Sequence, residues 1–325
     1  MDMYQKRKIR QEKAKNENKE ENSKSNINWY PGHMAKTKRL IKENIKLIDI
    51  IYEVIDSRIP YSSRINDLEE LIGNKPRVLI FTKYDLCDKK ETNKFIEKYK
   101  KQGLHCITYD LTKEIDKNIL LDLSTKILQD KLDKAKDKGI NKDKIRALVI
   151  GVPNAGKSTF INKIVGKKIA VTGNKPGVTK NLSWIRIGKN IELLDSPGIL
   201  WPKLEQEKEA FNLASTTAIK EEILEKEEIA FYIIKFMYEN YRELLEKNYG
   251  VTDVSDFYEV YEAIGKRRGF IGKGGVIDDE RVTDLIINDI KQGKIKGITF
   301  DRIKDYEIWQ LYKRRIRTKT RNIKR

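Results

Sequence analysis

Two cysteines in 325 residues, Cys87 and Cys106, form neither a disulfide framework nor a metal-ligand cluster. Both fall in or just after expected strands, so reduced, buried thiols are the expected state. No stretch approaches the ~18 apolar residues of a membrane span, and 1–25 lacks the apolar core of a secretion signal. These absences predict a soluble cytoplasmic protein with no membrane partner. No internal repeat at a fixed period is present. Acid is missing from the end of the chain: 312–325 holds eight Lys/Arg and no Asp or Glu.

What is abundant is positive charge. There are 67 Lys/Arg against 49 Asp/Glu, a net +18, which points to an anionic partner. Residues 264–325 carry 18 basic against 8 acidic side chains, so +10 of that excess lies there. Lys266-Arg267-Arg268, beside a glycine loop with Lys273, is a candidate phosphate contact. A second basic run, from Lys6 to Lys15, lies in a charged arm with few apolar anchors.

The chain is organised around Gly151-Val152-Pro153-Asn154-Ala155-Gly156-Lys157-Ser158-Thr159, between an apolar run at 147–150 and a helical pattern at 160–165. Glycine, four residues, then Gly-Lys-Ser between strand and helix is the phosphate loop of nucleoside triphosphatases. Its backbone N–H groups converge on phosphate oxygens and the helix N-terminus adds a favourable dipole. Asn154, Ala155, Gly156, Lys157, Ser158 and Thr159 are therefore nucleotide-binding candidates. Lys157 would reach the β- and γ-phosphates, and the Ser158 hydroxyl would take one Mg²⁺ position.

Apolar runs predict strands at 47–55, 77–81, 105–108, 182–187 and 191–194 besides the one before the phosphate loop. Helical patterns cover 37–46, 90–101 and 115–136, then 208–218, 221–247, 254–267 and 279–292. Alternating strands and helices predict a mostly parallel sheet with its ligand at the C-terminal edge. The domains read as a basic arm at 1–25, an α/β nucleotide-binding domain at 26–205, an all-α domain at 206–310 and a basic tail at 311–325.

Thr82-Lys83-Tyr84-Asp85, at the end of the 77–81 strand, matches the guanine-recognition motif of GTPases, usually Asn-Lys-x-Asp. The Asp85 carboxylate can accept two charge-assisted hydrogen bonds from guanine N1 and N2, which adenine cannot supply; the Lys83 stem would pack along the base and steady the phosphate loop. Asp195-Ser196-Pro197-Gly198 ends a further strand as switch II, with Thr179 as the switch I threonine. The order is permuted, because the guanine motif precedes the phosphate loop. Permutation costs little when chain ends lie close together on the surface. It also makes switch II lead straight into the helical domain.

With Trp29-Tyr30-Pro31-Gly32-His33-Met34 and Asp56-Ser57-Arg58-Ile59-Pro60, this order resembles the circularly permuted ribosome-assembly GTPases, within them those acting on the large subunit. The resemblance covers about 27–300. It implies a circularly permuted P-loop GTPase domain followed by an all-α RNA-binding domain, with GTP or GDP and Mg²⁺ bound. The implied partners are rRNA and the large-subunit precursor, with ribosomal proteins as further contacts and no DNA. Thr179 would close on Mg²⁺ and the γ-phosphate, Asp195 would hold Mg²⁺ through water, and the Gly198 N–H would meet the γ-phosphate. Ile199 stands where many GTPases carry a water-orienting glutamine, which implies slow intrinsic hydrolysis and stimulation by ribosomal particles. Two substitutes are implied: Asn154 as a K⁺ ligand near the β/γ oxygens, or as a residue that only shapes the loop; and His33 positioning water, or capping the following helix. The fifth motif departs from the family pattern, with Thr108-Tyr109-Asp110 in place of Ser-Ala-Lys.

Rival readings remain. A permuted GTPase of the small subunit would carry the zinc-binding cysteines this chain lacks. A GTP-gated RNA-binding scaffold with incidental hydrolysis is compatible with Ile199. A metabolic kinase would have no use for the guanine motif.

Overall fold

The structure, a computed structural model, describes residues 32–65, 68–139, 144–170, 182–188, 191–200, 207–216 and 224–308. The basic arm, the basic tail, Thr179 and the 201–206 connection from switch II lie outside the described residues.

Six strands form one sheet: β1 (Ile50–Asp56), β2 (Arg77–Thr82), β3 (His105–Thr108), β4 (Ile145–Gly151), β5 (Ser183–Ile187) and β6 (Ile191–Asp195), in the order β3-β2-β1-β4-β6-β5. Every pairing is parallel except β5 with β6, which are antiparallel. The mostly parallel sheet flanked by helices thus matches the expected fold class. β1 lies in the middle of the sheet and all seven of its residues are buried, as parallel strands covered on both faces must be. Its one mid-strand charge, Glu53, meets Arg64 (3.3 Å), Arg77 (3.6 Å) and the Ile65 N–H (3.1 Å). An expected start of this strand at 47 gives way to Ile50, because Ile45–Leu47 closes a 3₁₀ turn.

Before and between the strands run α1 (Gly32–Asn44), α2 (Leu68–Ile72), α3 (Lys89–Lys101), α4 (Lys117–Asp137) and α5 (Lys157–Val165). The Asp88 and Asp116 carboxylates cap α3 and α4 by accepting backbone N–H groups. After the sheet come α6 (Glu207–Ser215), α7 (Lys226–Asn240), α8 (Arg242–Tyr249), α9 (Phe257–Arg268) and α10 (Asp279–Lys291). Val282, Ile286, Ile287 and Ile290 bury one face of α10, which packs on α7. The single helix expected over 221–247 is two, broken at Tyr241 (φ −146°, ψ 49°). Tyr241 leaves the helix because its hydroxyl donates to Asp88 Oδ2 (3.1 Å) and accepts the Thr299 N–H (3.1 Å).

Both cysteines are free. Cys87 is buried as expected, but Cys106 is half-buried, since β3 is an edge strand. No described helix is long and apolar enough to cross a membrane.

Candidate functional site

Register brings the motifs to one edge. Asp56 at the end of β1 pairs with Thr82 at the end of β2, Val54 pairs with Gly151 at the end of β4, and Val149 pairs with Asp195 at the end of β6. The loops that follow these ends share the crevice where the chain's strand order reverses, between β1 and β4, the usual ligand position in open α/β sheets.

After β4 the phosphate loop turns through two left-handed residues, Asn154 (φ +57°) and Gly156 (φ +93°), before α5 begins at Lys157. Lys157 is buried, and its ammonium donates to the carbonyls of Gly151 (3.0 Å) and Val152 (2.8 Å). Ala155 is buried in the loop, Ser158 is half-buried in the first turn of α5 and Thr159 is exposed. Burial lowers the Lys157 pKa against the opposing charge of Asp195. Burial likewise pushes the Asp195 carboxyl up, with Lys157 opposing. Phosphate oxygens at the loop would favour the charged lysine.

Asp195 is 2% exposed and its Oδ1 has no hydrogen-bond partner among the described residues. A buried carboxylate oxygen left in this way is costly, and, facing the charge of Lys157 at the start of α5, it is the ligand a divalent cation would satisfy. The Ser158 hydroxyl and the Asp195 carboxylate, both hard oxygens, therefore fit Mg²⁺. Gly198 follows at close quarters: a Cβ there would lie 2.7 Å from Pro153 Cα and N, so only glycine lets switch II lie on the phosphate loop. The Ile199 side chain is fully buried and its N–H donates to Gly151 O (3.1 Å). It faces the core and can orient no water.

The guanine-motif loop meets the phosphate loop directly. The Thr82 hydroxyl lies between Ile55 O (3.1 Å) and Ala155 O. The Lys83 ammonium donates to Asn154 O (2.7 Å), spanning 71 positions, and to Asp56 Oδ2 (2.9 Å). Lys83 is itself left-handed (φ +54°). Asp85 is half-buried in the turn that follows and accepts no hydrogen bond from the described residues. In the fifth-motif segment the Asp110 carboxylate accepts the N–H (3.0 Å) and hydroxyl of Thr112, so it serves its own turn.

Motif matching alone does not show what Asp56 and Arg58 do. Asp56 Oδ1 accepts from Arg58 N and Nε (both 3.0 Å), and Oδ2 accepts from Arg58 Nη2 (2.7 Å). Burial opposes ionisation of Asp56, but Arg58 and Lys83 outweigh it and hold the carboxyl far below the usual range. Both partners are 2% exposed. The sequence signal was an acid ending an apolar strand, two residues before an arginine. Arg58→Met should cost about 3–5 kcal/mol of unfolding free energy, because it leaves a buried carboxylate short of its main partner. Asp56 has a lowered folded pKa, so its contribution is complete above the ordinary carboxylate pKa of about 4 and is lost as pH falls below it. Denaturant melts should therefore show the gap between the two proteins narrowing from pH 6 to pH 3.

His33 has its backbone in the first turn of α1, and its side chain lies outside the described part of the structure. On the basic surface, Lys266, Arg267 and Arg268 are exposed in the last turn of α9. Their charge is partly engaged: Lys266 meets Glu262 (2.7 Å), while Arg267 and Arg268 donate to Lys247 O (3.3 Å) and Asn248 O (3.2 Å) at the end of α8.

Residues 146–260 match the family model described as 50S ribosome-binding GTPase. That match begins in β4, so the guanine motif lies upstream of it, as permutation requires. Ribosome biogenesis GTPase A of Priestia megaterium is 43% identical over 277 residues, 85% of this chain and 96% of that protein. The protein of that name from Thermotoga maritima is 33% identical over 279 residues, 86% and 95% of the two chains. Among solved structures, GDP-bound YlqF superposes with a TM-score of 0.60 at 28% identity, covering 82% of this chain and 100% of the other. GNP-bound YlqF from T. maritima gives 0.57 at 29%, covering 82% and 98%.

Proposed function

The chain belongs to the ribosome biogenesis GTPase A family, and from that premise we propose that it acts in the cytoplasm on the large ribosomal subunit, binding rRNA and leaving or holding the particle according to nucleotide state. Family membership makes it a GTP-hydrolysing factor of ribosome biogenesis. The large subunit is supported by the 50S ribosome-binding description of the matched family model, and rRNA by the basic excess over 264–325. The observation that carries the nucleotide reading is the Lys83 bridge to Asn154 O, which seats the guanine loop on the phosphate loop despite their reversed order.

In this reading Asp85 accepts guanine N1–H and N2–H, the loop from Asn154 to Thr159 cradles the phosphates, and Lys157 turns from the Gly151 and Val152 carbonyls to the β/γ oxygens. Ser158, Thr179 and Asp195 hold Mg²⁺, which supplies charge neutralisation at the transferring phosphoryl group. The Gly198 N–H meets the γ-phosphate. The Asn154 amide oxygen is a donor of the type K⁺ takes, and a cation there would offset charge as an arginine finger does. With Ile199 turned into the core, water positioning falls to His33 when a ribosomal partner is engaged.

GTP turnover with and without large-subunit precursor particles, in K⁺ and in Na⁺, tests this. Turnover should rise with particles and be higher in K⁺. His33→Ala should lower stimulated turnover by about 10²-fold or more while leaving GDP affinity intact. Unchanged stimulated turnover removes His33 from the chemistry. The buried Ile199 also keeps a second reading in play, a GTP-gated RNA-binding scaffold, and that protein would show no stimulation by any particle.

A further inference from the structure

The guanine-motif loop has a second face, and it is covered by the end of the helical region. The backbone leaving α10 returns over it: Gly297 N and Ile298 N donate to Leu86 O (2.8 and 3.4 Å), and Asp88 N donates to Thr299 Oγ1 (3.1 Å). Gly293 (φ +68°) passes so near that a Cβ there would lie 2.6 Å from Leu86 Cδ2. Beneath this contact lies Arg58, whose Nη2 and Nε are taken by Asp56. Its remaining arm, Nη1, donates to Ile290 O in the last turn of α10 (2.7 Å), and its own carbonyl accepts the Phe300 N–H (2.7 Å).

A continuous set of buried polar contacts therefore runs from α10 through Arg58 and Asp56 to Lys83 and on to Asn154 O of the phosphate loop. The Lys83 ammonium has two acceptors, one on each side of the crevice. Asp56 has no freedom to follow it, because the Arg58 fork fixes both carboxylate oxygens. Any movement of α10 or of 293–302 thus changes the acceptor geometry of the lysine that lies along the base.

We propose that Asp56 and Arg58 are positioning residues of the nucleotide site, and that through them and Leu86 the seating of the helical region on the guanine loop sets how long a guanine nucleotide stays bound. The route enters the site through Lys83 and the guanine loop rather than through Asp195–Gly198, so a partner that engages the helices can alter nucleotide release through the base contact. By linkage the coupling is reciprocal, and bound nucleotide holds the α10 end in place. This coupling rests on the placement of guanine at Thr82–Asp85 made above.

The test uses the full chain and a fluorescent GDP. Gly293→Ala touches no nucleotide-binding residue and presses on Leu86; it should raise the GDP dissociation rate about three- to thirtyfold, measured well below the melting temperature. Leu86→Ala makes room, so the Gly293→Ala, Leu86→Ala double variant should return to within about threefold of Leu86→Ala alone. Arg58→Lys, which keeps the charge on Asp56 but cannot also reach Ile290 O with a second arm, should give an increase in the same range and serves if Gly293→Ala does not fold. Hydrogen exchange in the last turn of α10 should slow when GDP binds. Folded variants that release GDP at the unaltered rate, or a Gly293→Ala effect that Leu86→Ala does not suppress, overturn the proposal. Asp85→Asn separates the two levels: if it fails to exchange guanine for xanthine preference, the base placement is wrong, whereas if it succeeds while Gly293→Ala and Arg58→Lys are silent, only the coupling is wrong.

Discussion

Asp85→Asn should raise the dissociation constant for GDP by roughly 10²–10⁴-fold and create affinity for XDP. Guanine offers two donors, N1–H and N2–H, to the Asp85 carboxylate, each bond to a charged acceptor contributing about 1.5–3 kcal/mol. An asparagine keeps one acceptor and places an NH₂ against the N2 donor, so one bond is lost and a donor–donor contact replaces it. Xanthine has a carbonyl at that position, and its N1–H and O2 match the amide oxygen and NH₂ of asparagine. The geometry isolates this effect: Asp85 has no hydrogen-bonding duty within the described residues, while Lys83 holds the loop in place through Asp56 and Asn154. The exchange therefore changes the base contact and leaves the Lys83 anchors alone. Isothermal titration with GDP and XDP reads both halves. Retained GDP affinity without a gain for XDP would place the base elsewhere.

Much of this site was legible in the sequence because its residues come in short contiguous motifs whose chemistry depends on spacing. The phosphate loop, Thr82-Lys83-x-Asp85 and Asp195-x-Pro197-Gly198 each sit at the end of an apolar run, and a parallel sheet brings such ends together whatever their order. What stayed illegible depends on distant partners. Arg58 lies in a loop where nothing local names its partners; it is fully buried, and Ile290 O, 232 positions away, takes its last arm. The 221–247 helical pattern is continuous in composition, yet the chain breaks at Tyr241 because Asp88, 153 positions away, holds the hydroxyl. The Asp301 carboxylate accepts the N–H groups of Tyr61 and Ser62 across 240 and 239 positions, a pairing no local pattern announces. Periodicity carries information over one helix turn or one strand step, and these contacts lie far outside it.

Binding of the full chain to large-subunit precursor particles should weaken roughly 10³–10⁵-fold between 50 and 200 mM salt, if about six to eight phosphates are met. The charge distribution says where that dependence resides. Over 264–308 there are 10 basic and 8 acidic residues, a net +2, whereas 312–325 has 8 basic residues and no acid. The structure reduces the first group further: Lys294 meets Asp289 (3.5 Å), Arg302 lies by Glu91 (3.7 Å), and Arg281 stacks on Phe270 (4.3 Å). Each such group meeting a phosphate would first give up an internal partner, while the tail cations have no acid among them to give up. Deleting 312–325 should then flatten the slope of log affinity against log salt by about five or more, since each neutralised phosphate contributes about 0.7–0.9. Lys266→Ala should change that slope by about one or less. A slope that survives the deletion would move the phosphate contacts onto the helices, and a slope near zero in the full chain would remove rRNA backbone from the interaction.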